Sequence, residues 1–393
     1  MNPKNQCQHF KICSGCHYLD KNYQEELDLK KNLIYQIFSK FKGVKIAPII
    51  PSPLSENYRN KIQVPFGTRK IKGKNHLVLG LFDKDSKFVV DQRECQIQSP
   101  DLTSLLLSVK DWAKKEKLSV YNPRRRNGLL RYLVARKSNS TNEVLLALVT
   151  TEERFPYQKE SSKRLNQLIN SNWKSIGSKA KLVGILQNFN SQNTNMALGK
   201  ETDIWWGRNY IKERILEYDF RVGIDTFLQT NPFALIPLYE RALKELNPNE
   251  TIIDAYCGIG TTSLFFSKKS KNIIGIEENP AAIKAGIEAI RTNKIKNIKL
   301  RKGSVSDILP QIINSNIDTM VLDPPRIGIG FEVIQSILFS NLKKLVYISC
   351  DPYTLFEDVR ALNNKYNLEM IIPVDMFPRT RHIELIAIMN QKD

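Results

Sequence analysis

"ETIIDAYCGIGTTSLFFSKKSKNIIGIEENPAAIKAGIEAIRTNKI", residues 250–295, alternates two periodicities. A short apolar run reaches Asp254, the glycine-bearing turn "YCGIG" (256–260) follows, and a helical pattern begins near Thr262. A second apolar run, "NIIGIE", ends at Glu277 and gives way to the helical "PAAIKAGIEAIRTN" (280–293). The order then repeats. "IKLRKG" (298–303) precedes Ser304, "DTMVLDPPR" (318–326) carries a strand to Asp323, and "KKLVYIS" (343–349) delivers Cys350. Strands alternating with helices predict an α/β domain with a doubly wound, Rossmann-like sheet. Its ligands are expected at the carboxyl ends of the strands.

The turns narrow the ligand. Glycines let the backbone approach a cofactor, and an acid ending the second strand can accept hydrogen bonds from ribose hydroxyls. Both features suit a dinucleotide or S-adenosylmethionine. "CGIGTT" (257–262) lacks the third glycine of the dinucleotide fingerprint. Asp-Pro-Pro at 323–325 suits the wall between a methyl donor and a target base, although Pro-Pro alone reads simply as a stiff loop.

Composition bounds the rest. The chain has 393 residues, 41% of them hydrophobic, enough for two or three domains with proper cores. No stretch approaches eighteen uninterrupted apolar residues, and the N-terminus has neither a signal-peptide core nor a transit-peptide composition, so a cytoplasmic protein is expected. Net charge is +19, unevenly spread. Residues 1–210 hold 36 Lys and Arg against 18 Asp and Glu, whereas residues 211–393 hold 23 against 22. A basic half beside a balanced one suggests a module that grips a polyanion, joined to a separate working module. Membrane binding would call for a basic amphipathic helix. "NYQEELDLKKNLIYQIFSKF" (22–41) is mixed in charge, so nucleic acid is favoured.

Six cysteines in such a chain argue for metal or catalysis rather than disulfides. Cys7, Cys13 and Cys16 form C-x5-C-x2-C, with Cys95 distant. Three close thiolates and one remote one suit a four-ligand metal site, and spacing leaves zinc and an iron–sulfur cluster both open.

The motifs "FLQTNPF" (227–233), "DAYCGIGTTSL" (254–264), "GIEENPAAI" (275–283), "VLDPPRIG" (321–328), "SCDPYT" (349–354) and "DMFPRTRHIELIA" (375–387) occur in order. With "YRNKIQ" (58–63), "GLLRYLVAR" (128–136) and the early cysteines, they closely resemble the RNA 5-methyluridine methyltransferase family, in its iron–sulfur-containing 23S rRNA branch. The resemblance covers nearly the whole chain. It implies methyl transfer from S-adenosylmethionine to uracil C5 in ribosomal or transfer RNA, with Cys350 as nucleophile and Glu384 as base. It also implies Gln229, Tyr256, Glu277 and Asp323 at the cofactor, with Thr261 and Ser304 at more variable cofactor positions, and a [4Fe–4S] cluster on Cys7, Cys13, Cys16 and Cys95.

The chemistry explains the residue types. Uracil C5 is a poor nucleophile until a thiolate adds to C6, and a base must then remove the C5 proton. A basic, partly open setting is expected to depress the Cys350 pKa. Asp351 stands where relatives more often have Asn, and its charge calls for an offsetting Arg326 or Arg379. Cys257 reads as a packing residue, and His382 as structural or base-orienting. In the basic half Arg59, Lys61, Arg125, Arg131 and Arg136 are the expected RNA contacts, with alternate strand positions presenting guanidinium groups to phosphates. Trp205 and Trp206 read more simply as packing than as base-stacking residues.

The expected organisation is an α+β iron–sulfur and RNA-binding region over 1–210 and a class I methyltransferase domain over 211–393. The helix near 22–41 is expected to pack against the latter, so the boundary need not be one clean cut. The small β-barrel that begins many relatives is not expected, since the cysteine motif starts at residue 7. The chain is expected to be a monomer acting on 23S rRNA. Competing readings are a tRNA T-loop enzyme, a cytosine-C5 or base-amino methyltransferase, and a non-catalytic RNA-binding or assembly factor. The base-amino reading has no use for Cys350 or Glu384.

Overall fold

The structure, a computed structural model, describes residues 7–392 apart from 87, 152–154, 156, 193–195 and 314–316. Its elements begin with α1 (Tyr23–Phe38), β1 (Lys45–Ile46), β2 (Lys61–Ile71), β3 (Lys74–Leu79), α2 (Pro100–Lys115), β4 (Leu130–Lys137), β5 (Glu143–Thr150) and α3 (Gln158–Ser175). Next come β6 (Lys181–Phe189), β7 (Glu201–Gly207), β8 (Ile211–Ile215), β9 (Tyr218–Val222), α4 (Pro232–Lys244), β10 (Thr251–Ala255), α5 (Thr261–Phe266), β11 (Asn272–Glu277) and α6 (Pro280–Thr292). The chain ends with β12 (Ile298–Lys302), α7 (Val305–Ile312), β13 (Thr319–Leu322), α8 (Phe331–Leu338), β14 (Lys344–Ser349), α9 (Pro352–Leu362), β15 (Tyr366–Val374) and β16 (Glu384–Gln391).

Two compact units result, neither continuous in sequence. One comprises Met1–Asp20, Glu56–Arg214 and Arg221–Asp225; the other comprises Lys21–Ser55, Ile215–Phe220 and Thr226–Asp393. A single cut at residue 210 therefore does not describe the chain. The physical reason is α1. Its start is fixed by a capping box, in which the Asn22 side chain accepts from the Glu25 N–H and the Glu25 carboxylate accepts from the Asn22 N–H. Its apolar residues Ile34, Ile37 and Phe38 are then buried in the core of the second unit.

The first unit is an α+β layer. Its sheet runs β3-β2-β4-β5-β6-β7, antiparallel except for β5–β6, which α3 connects. Leu105, Val109 and Trp112 of α2, with Leu165, Ile169 and Trp173 of α3, share a core with Leu133 and Leu146 of the sheet. Strand β4 is buried on both faces, since Leu133, Val134 and Ala135 all have no exposed surface.

The second unit holds the doubly wound sheet, in the order β1-β15-β16-β14-β13-β10-β11-β12. Strands β10 to β14 are mutually parallel; the apolar runs of β10, β13 and β14 are buried on both faces, as central parallel strands require, while β12 at the edge is largely exposed. Strand β16 lies between β14 and β15 and is antiparallel to both. The strand neighbours change side at β10, which pairs with β11 on one edge and β13 on the other, so the sheet opens a crevice there.

Gly275 in β11 lets the glycine turn lie close to the sheet. A Cβ built on it would stand 2.6 Å from a Leu300 methyl and 3.0 Å from Cys257 Sγ. Overpacking a well-filled core costs about 1–3 kcal/mol. Gly275→Ala should therefore lower the thermal midpoint by several degrees in a melting experiment, and an unchanged midpoint would show that the turn yields freely.

Candidate active site

The carboxyl ends of β10, β11, β13 and β14 lie side by side and present Tyr256, Glu277, Asp323 and Cys350 in turn. Because β16 runs the other way, its first residue, Glu384, stands at the same end. The register pairs Ser349 with Leu385, so the next step along each strand sets Cys350 against Glu384. Thirty-four positions of sequence are thus closed by one strand pairing.

The charges around this pair are mostly acidic. Glu384 is buried, its Oε2 has no hydrogen-bond partner, and burial and then Asp323 push its pKa well above the ordinary carboxylate range, with Arg326 opposing. Burial and then Asp254 raise Asp323 to about 7. Asp254 is the penultimate residue of β10 and is raised to about 6 by burial, although the Thr262 and Ser263 hydroxyls donate to its Oδ2; its Oδ1 has no partner. The buried Tyr239 feels Asp323, Asp254 and Glu384 together, which gathers the three carboxylates around one point.

Cys350 is half-buried, and its thiol is pushed up to about 11, first by burial and then by Glu384. The expected depression is thus reversed in the free protein, because burial, with Glu384 and Asp323 adding to it, outweighs the lowering by Arg326. Arg326 Nη2 also lies 3.1 Å from His382 Nδ1. A guanidinium only donates, so Nδ1 accepts and a neutral His382 carries its proton on Nε2. Asp351 needs no arginine. Its Oδ1 accepts from the backbone N–H groups of Tyr353 at 3.0 Å and Thr354 at 3.2 Å, capping α9 at the favourable end of the helix dipole. Arg379 is buried elsewhere, with its Nη1 3.8 Å from Glu26 Oε2.

The remaining cofactor candidates surround the crevice. Tyr256 holds a left-handed backbone, φ 63°, at the start of the glycine turn. Such strain in a non-glycine residue is characteristic of functional turns. Glu277 fastens that turn, accepting from the Gly258 N–H at 3.0 Å and the Asn279 N–H at 2.7 Å. Thr261 is buried at the first position of α5. Ser304 is the N-cap of α7, accepting from the Asp307 N–H at 3.2 Å. Gln229 is buried two residues before Asn231, the N-cap of α4. Cys257 is buried and packs against Gly275, as expected.

A family model described as tRNA (uracil-5-)-methyltransferase matches residues 165–392. An uncharacterized RNA methyltransferase of Leptospira interrogans is 43% identical over 390 residues, 99% of each chain. One from Halalkalibacterium halodurans is 32% identical over 395 residues, covering 98% of this chain and 83% of its own. The chain belongs to the tRNA (uracil-5-)-methyltransferase family.

Among solved structures, the Pyrococcus abyssi tRNA (uracil-54, C5)-methyltransferase in complex with S-adenosyl-L-homocysteine superposes with a TM-score of 0.76 at 25% identity. The match covers 96% of this chain and 86% of that one. The protein is accordingly an RNA methyltransferase that uses S-adenosylmethionine. The crevice fits that cofactor on chemical grounds, because three clustered carboxylates, two with an unpartnered buried oxygen, suit a cationic sulfonium better than a neutral ligand.

As to the methyltransferase's other candidates, Cys7, Cys13, Cys16 and Cys95 line one cavity of the first unit, together with His9, Leu81 and Ile97. Burial raises all four thiols, and for Cys16 the other three cysteines add to it. Among the described residues no three His, Cys, Asp or Glu side chains are arranged to hold a metal ion.

The expected RNA contacts divide. Arg131 and Arg136 are corrections: both are buried, because β4 is covered on both faces. Arg131 Nη1 donates to the backbone oxygen of Gln192 at 2.9 Å and to Asn190 Oδ1 at 3.1 Å, tying down a loop rather than facing phosphates. Arg136 lies near Glu213 and Asp225, and burial lowers it to about 10. Lys61, its partner across β2–β4, is lowered to about 7 by burial and then by Arg136. Arg59 is half-buried, with its backbone bridged to Gln98. Arg125 is exposed with Arg124 and Arg126 on a tip that the Asn122 side chain organises. Trp205 packs against Phe155, while Trp206 stays partly exposed.

Asp254 was missed as a site residue by sequence reasoning, although an acid near the carboxyl end of an apolar strand was the same signal that picked out Glu277.

The raised carboxylates fix a pH dependence. An ordinary carboxylate titrates near about 4. Between there and about 6 for Asp254 and about 7 for Asp323, the folded protein binds more protons than the unfolded chain, so stability falls as pH rises through that window. A cation entering the crevice offsets the loss. The thermal midpoint gained on adding S-adenosylmethionine should therefore be larger near about pH 8 than near about pH 5. Neutral S-adenosylhomocysteine should show a smaller difference. Equal pH dependence for the two would contradict the acidic crevice.

Proposed function

We propose that this enzyme methylates C5 of a specific uridine in 23S ribosomal RNA through a covalent adduct on Cys350. The observation that carries the reading is the β14–β16 register, which sets a cysteine against a buried carboxylate at the ligand-binding end of the sheet. The Cys350 thiol loses its proton, and the thiolate adds to uracil C6. The electron pair of the C5–C6 double bond moves toward the C4 oxygen, leaving C5 nucleophilic. S-adenosylmethionine, when bound, supplies the methyl group that C5 takes. Glu384 then removes the C5 proton; the C5–C6 double bond re-forms and the Cys350 thiolate departs, and it recovers a proton as Glu384 gives one up, so the enzyme is restored with the initial thiol proton released to solvent. Burial suits Glu384 to this task, since a carboxylate with a raised pKa is a stronger base. Arg326 beside Cys350 opposes the rise of the thiol pKa. Gln229, Tyr256, Glu277, Asp323, Thr261 and Ser304 line the cofactor crevice in this reading, and Asp254 joins them. The exposed tip at Arg125, with Arg59, supplies phosphate contacts. The target uridine must leave its stack to reach Cys350.

The same reading assigns a [4Fe–4S] cluster to Cys7, Cys13, Cys16 and Cys95 in a structural role. A cluster presents four corners rather than one ion, which fits four thiols that ring a cavity without meeting around a single metal. The cysteine ring also favours 23S rRNA, the target of the iron–sulfur branch that the sequence resembles. A transfer-RNA target is the second reading, favoured by the P. abyssi structure, whose own substrate is tRNA uracil-54.

The deciding measurement maps 5-methyluridine by mass spectrometry in ribosomal and transfer RNA from cells with and without the gene. Loss of a 23S mark, restored by the wild-type gene but not by Cys350→Ser, is expected. Loss confined to tRNA moves the substrate and keeps the mechanism, whereas full activity in Cys350→Ser removes the covalent step. The protein purified without oxygen should be brown, with visible absorption lost in Cys13→Ser. A colourless protein carrying stoichiometric zinc overturns the cluster.

A further inference from the structure

Helix α1 carries a buried charge network that packing does not demand. Lys30 Nζ donates to Glu26 Oε1 at 2.7 Å, to Asp375 Oδ1 at 2.7 Å and to the backbone oxygen of Phe377 at 3.3 Å. The Lys30 and Asp375 side chains are 1% and 0% exposed. The Tyr23 hydroxyl donates to Asp375 Oδ2 at 2.8 Å and accepts from the Ser52 N–H at 2.9 Å. Glu26 Oε1 also accepts from the Arg379 N–H at 2.8 Å. From the other side, Asn231 Nδ2 donates to the Met376 oxygen at 2.9 Å. Four residues of one loop, Asp375, Met376, Phe377 and Arg379, are thus gripped by polar contacts. Arg379 is held there in a left-handed backbone, φ 68°.

That loop spans residues 375–383, between β15 and β16. Its two ends meet where Val374 pairs with Glu384, so the gripped Asp375 follows directly on the residue paired with Glu384. Within the loop the Thr380 hydroxyl donates to the Phe377 oxygen at 2.7 Å and accepts from the His382 N–H at 3.2 Å, and His382 reaches Arg326 beside Cys350. A buried ion pair rarely stabilises a fold more than apolar side chains of equal volume would, because both charges must be desolvated. What it does supply is one fixed geometry.

We propose that Lys30, Glu26, Asp375 and Tyr23 are positioning residues that hold Glu384 and His382 in register with Cys350, so that α1 governs removal of the C5 proton. This rests on Glu384 being the base. When proton removal is slowed, the methylated uridine stays bonded to Cys350, because elimination cannot follow. A variant that loosens the base therefore accumulates covalent enzyme–RNA adduct on uridine. On 5-fluorouridine, whose C5 has no proton to remove, its adduct formation is unaffected.

The test uses the full-length enzyme with unmodified 23S rRNA from cells lacking the gene and with the same RNA transcribed with 5-fluorouridine, scored on denaturing gels. Lys30→Met should lower turnover by about 10- to 100-fold, as small misplacements of a reacting group do. It should leave an adduct band on uridine RNA and form adduct on fluorouridine RNA at the wild-type rate. Tyr23→Phe, which deletes one hydroxyl and keeps the ring, should show the same pattern more weakly and serves if Lys30→Met does not fold. Glu384→Gln sets the full effect. Adduct accumulation in Glu384→Gln but in neither α1 variant overturns the positioning role, as does equal slowing of both reactions in them. Absence of accumulation in all three removes Glu384 as the base, and the α1 role with it.

Discussion

The structure of the site depends on one strand running the wrong way. A doubly wound parallel sheet collects at its ligand end only those residues that follow strands, here Tyr256, Glu277, Asp323 and Cys350. Antiparallel β16, inserted between β14 and β15, brings the beginning of a strand to that same end. Glu384 is therefore backed by the sheet ladder rather than carried on a loop tip, and its Cα position is fixed relative to Cys350 by six consecutive register pairs. A slip of one residue would turn Glu384 to the opposite face of the sheet. In the proposed reaction, the nucleophile and the base are brought to one substrate ring by backbone hydrogen bonding.

That arrangement has an electrostatic cost. Asp254, Asp323 and Glu384 are all disfavoured as anions by burial and then by a neighbouring carboxylate, Glu277, Asp254 and Asp323 in turn, and Cys350 is disfavoured as a thiolate by burial, Glu384 and Asp323. Arg326 is the cation acting on both Cys350 and Glu384, and it is exposed on the far side of the Asp-Pro-Pro turn. The site is therefore poorly stabilised on its own and improves with any positive charge that enters it. Ionisation of the thiol and binding of a cationic ligand are linked, each favouring the other.

How much of this could be read in the sequence follows from which contacts are local. The five parallel strands and the glycine turn were legible because each is a short run bounded by its own signals, and β10, β11, β13 and β14 fall where the periodicity put them. The pairing of Cys350 with Glu384 was legible only through family resemblance, since an isolated Glu opening a last strand has no local mark. Arg131 and Arg136 misled because "LLRYLVARK" looks like a half-exposed strand, while in the fold residues on both faces of β4 are buried. The Cys350 pKa misled because net charge is a property of the chain, whereas a pKa answers to local burial and the few groups within reach, here burial first and then Glu384.

Helix α1 carries the argument further. Its apolar stripe, Ile34, Ile37 and Phe38, is sufficient to explain why it joins the second unit. The polar groups one, two and three turns earlier, Lys30, Glu26 and Tyr23, add nothing to that burial and call for charged or hydrogen-bonding partners. Besides the Lys30–Glu26 pair within the helix and the Ser52 N–H on Tyr23, their partners Asp375, Phe377 and Arg379 lie in one loop, and that loop closes onto Glu384. An apolar helix could have packed at this site in several rotations with similar energy. A helix that must place an ammonium between two carboxylates, with a tyrosine hydroxyl bridging one of them, has one rotation available. A chain excursion through residues 21–55, which a single-cut division of the sequence would assign to the other half, is in this way part of what holds the catalytic end of the sheet in shape.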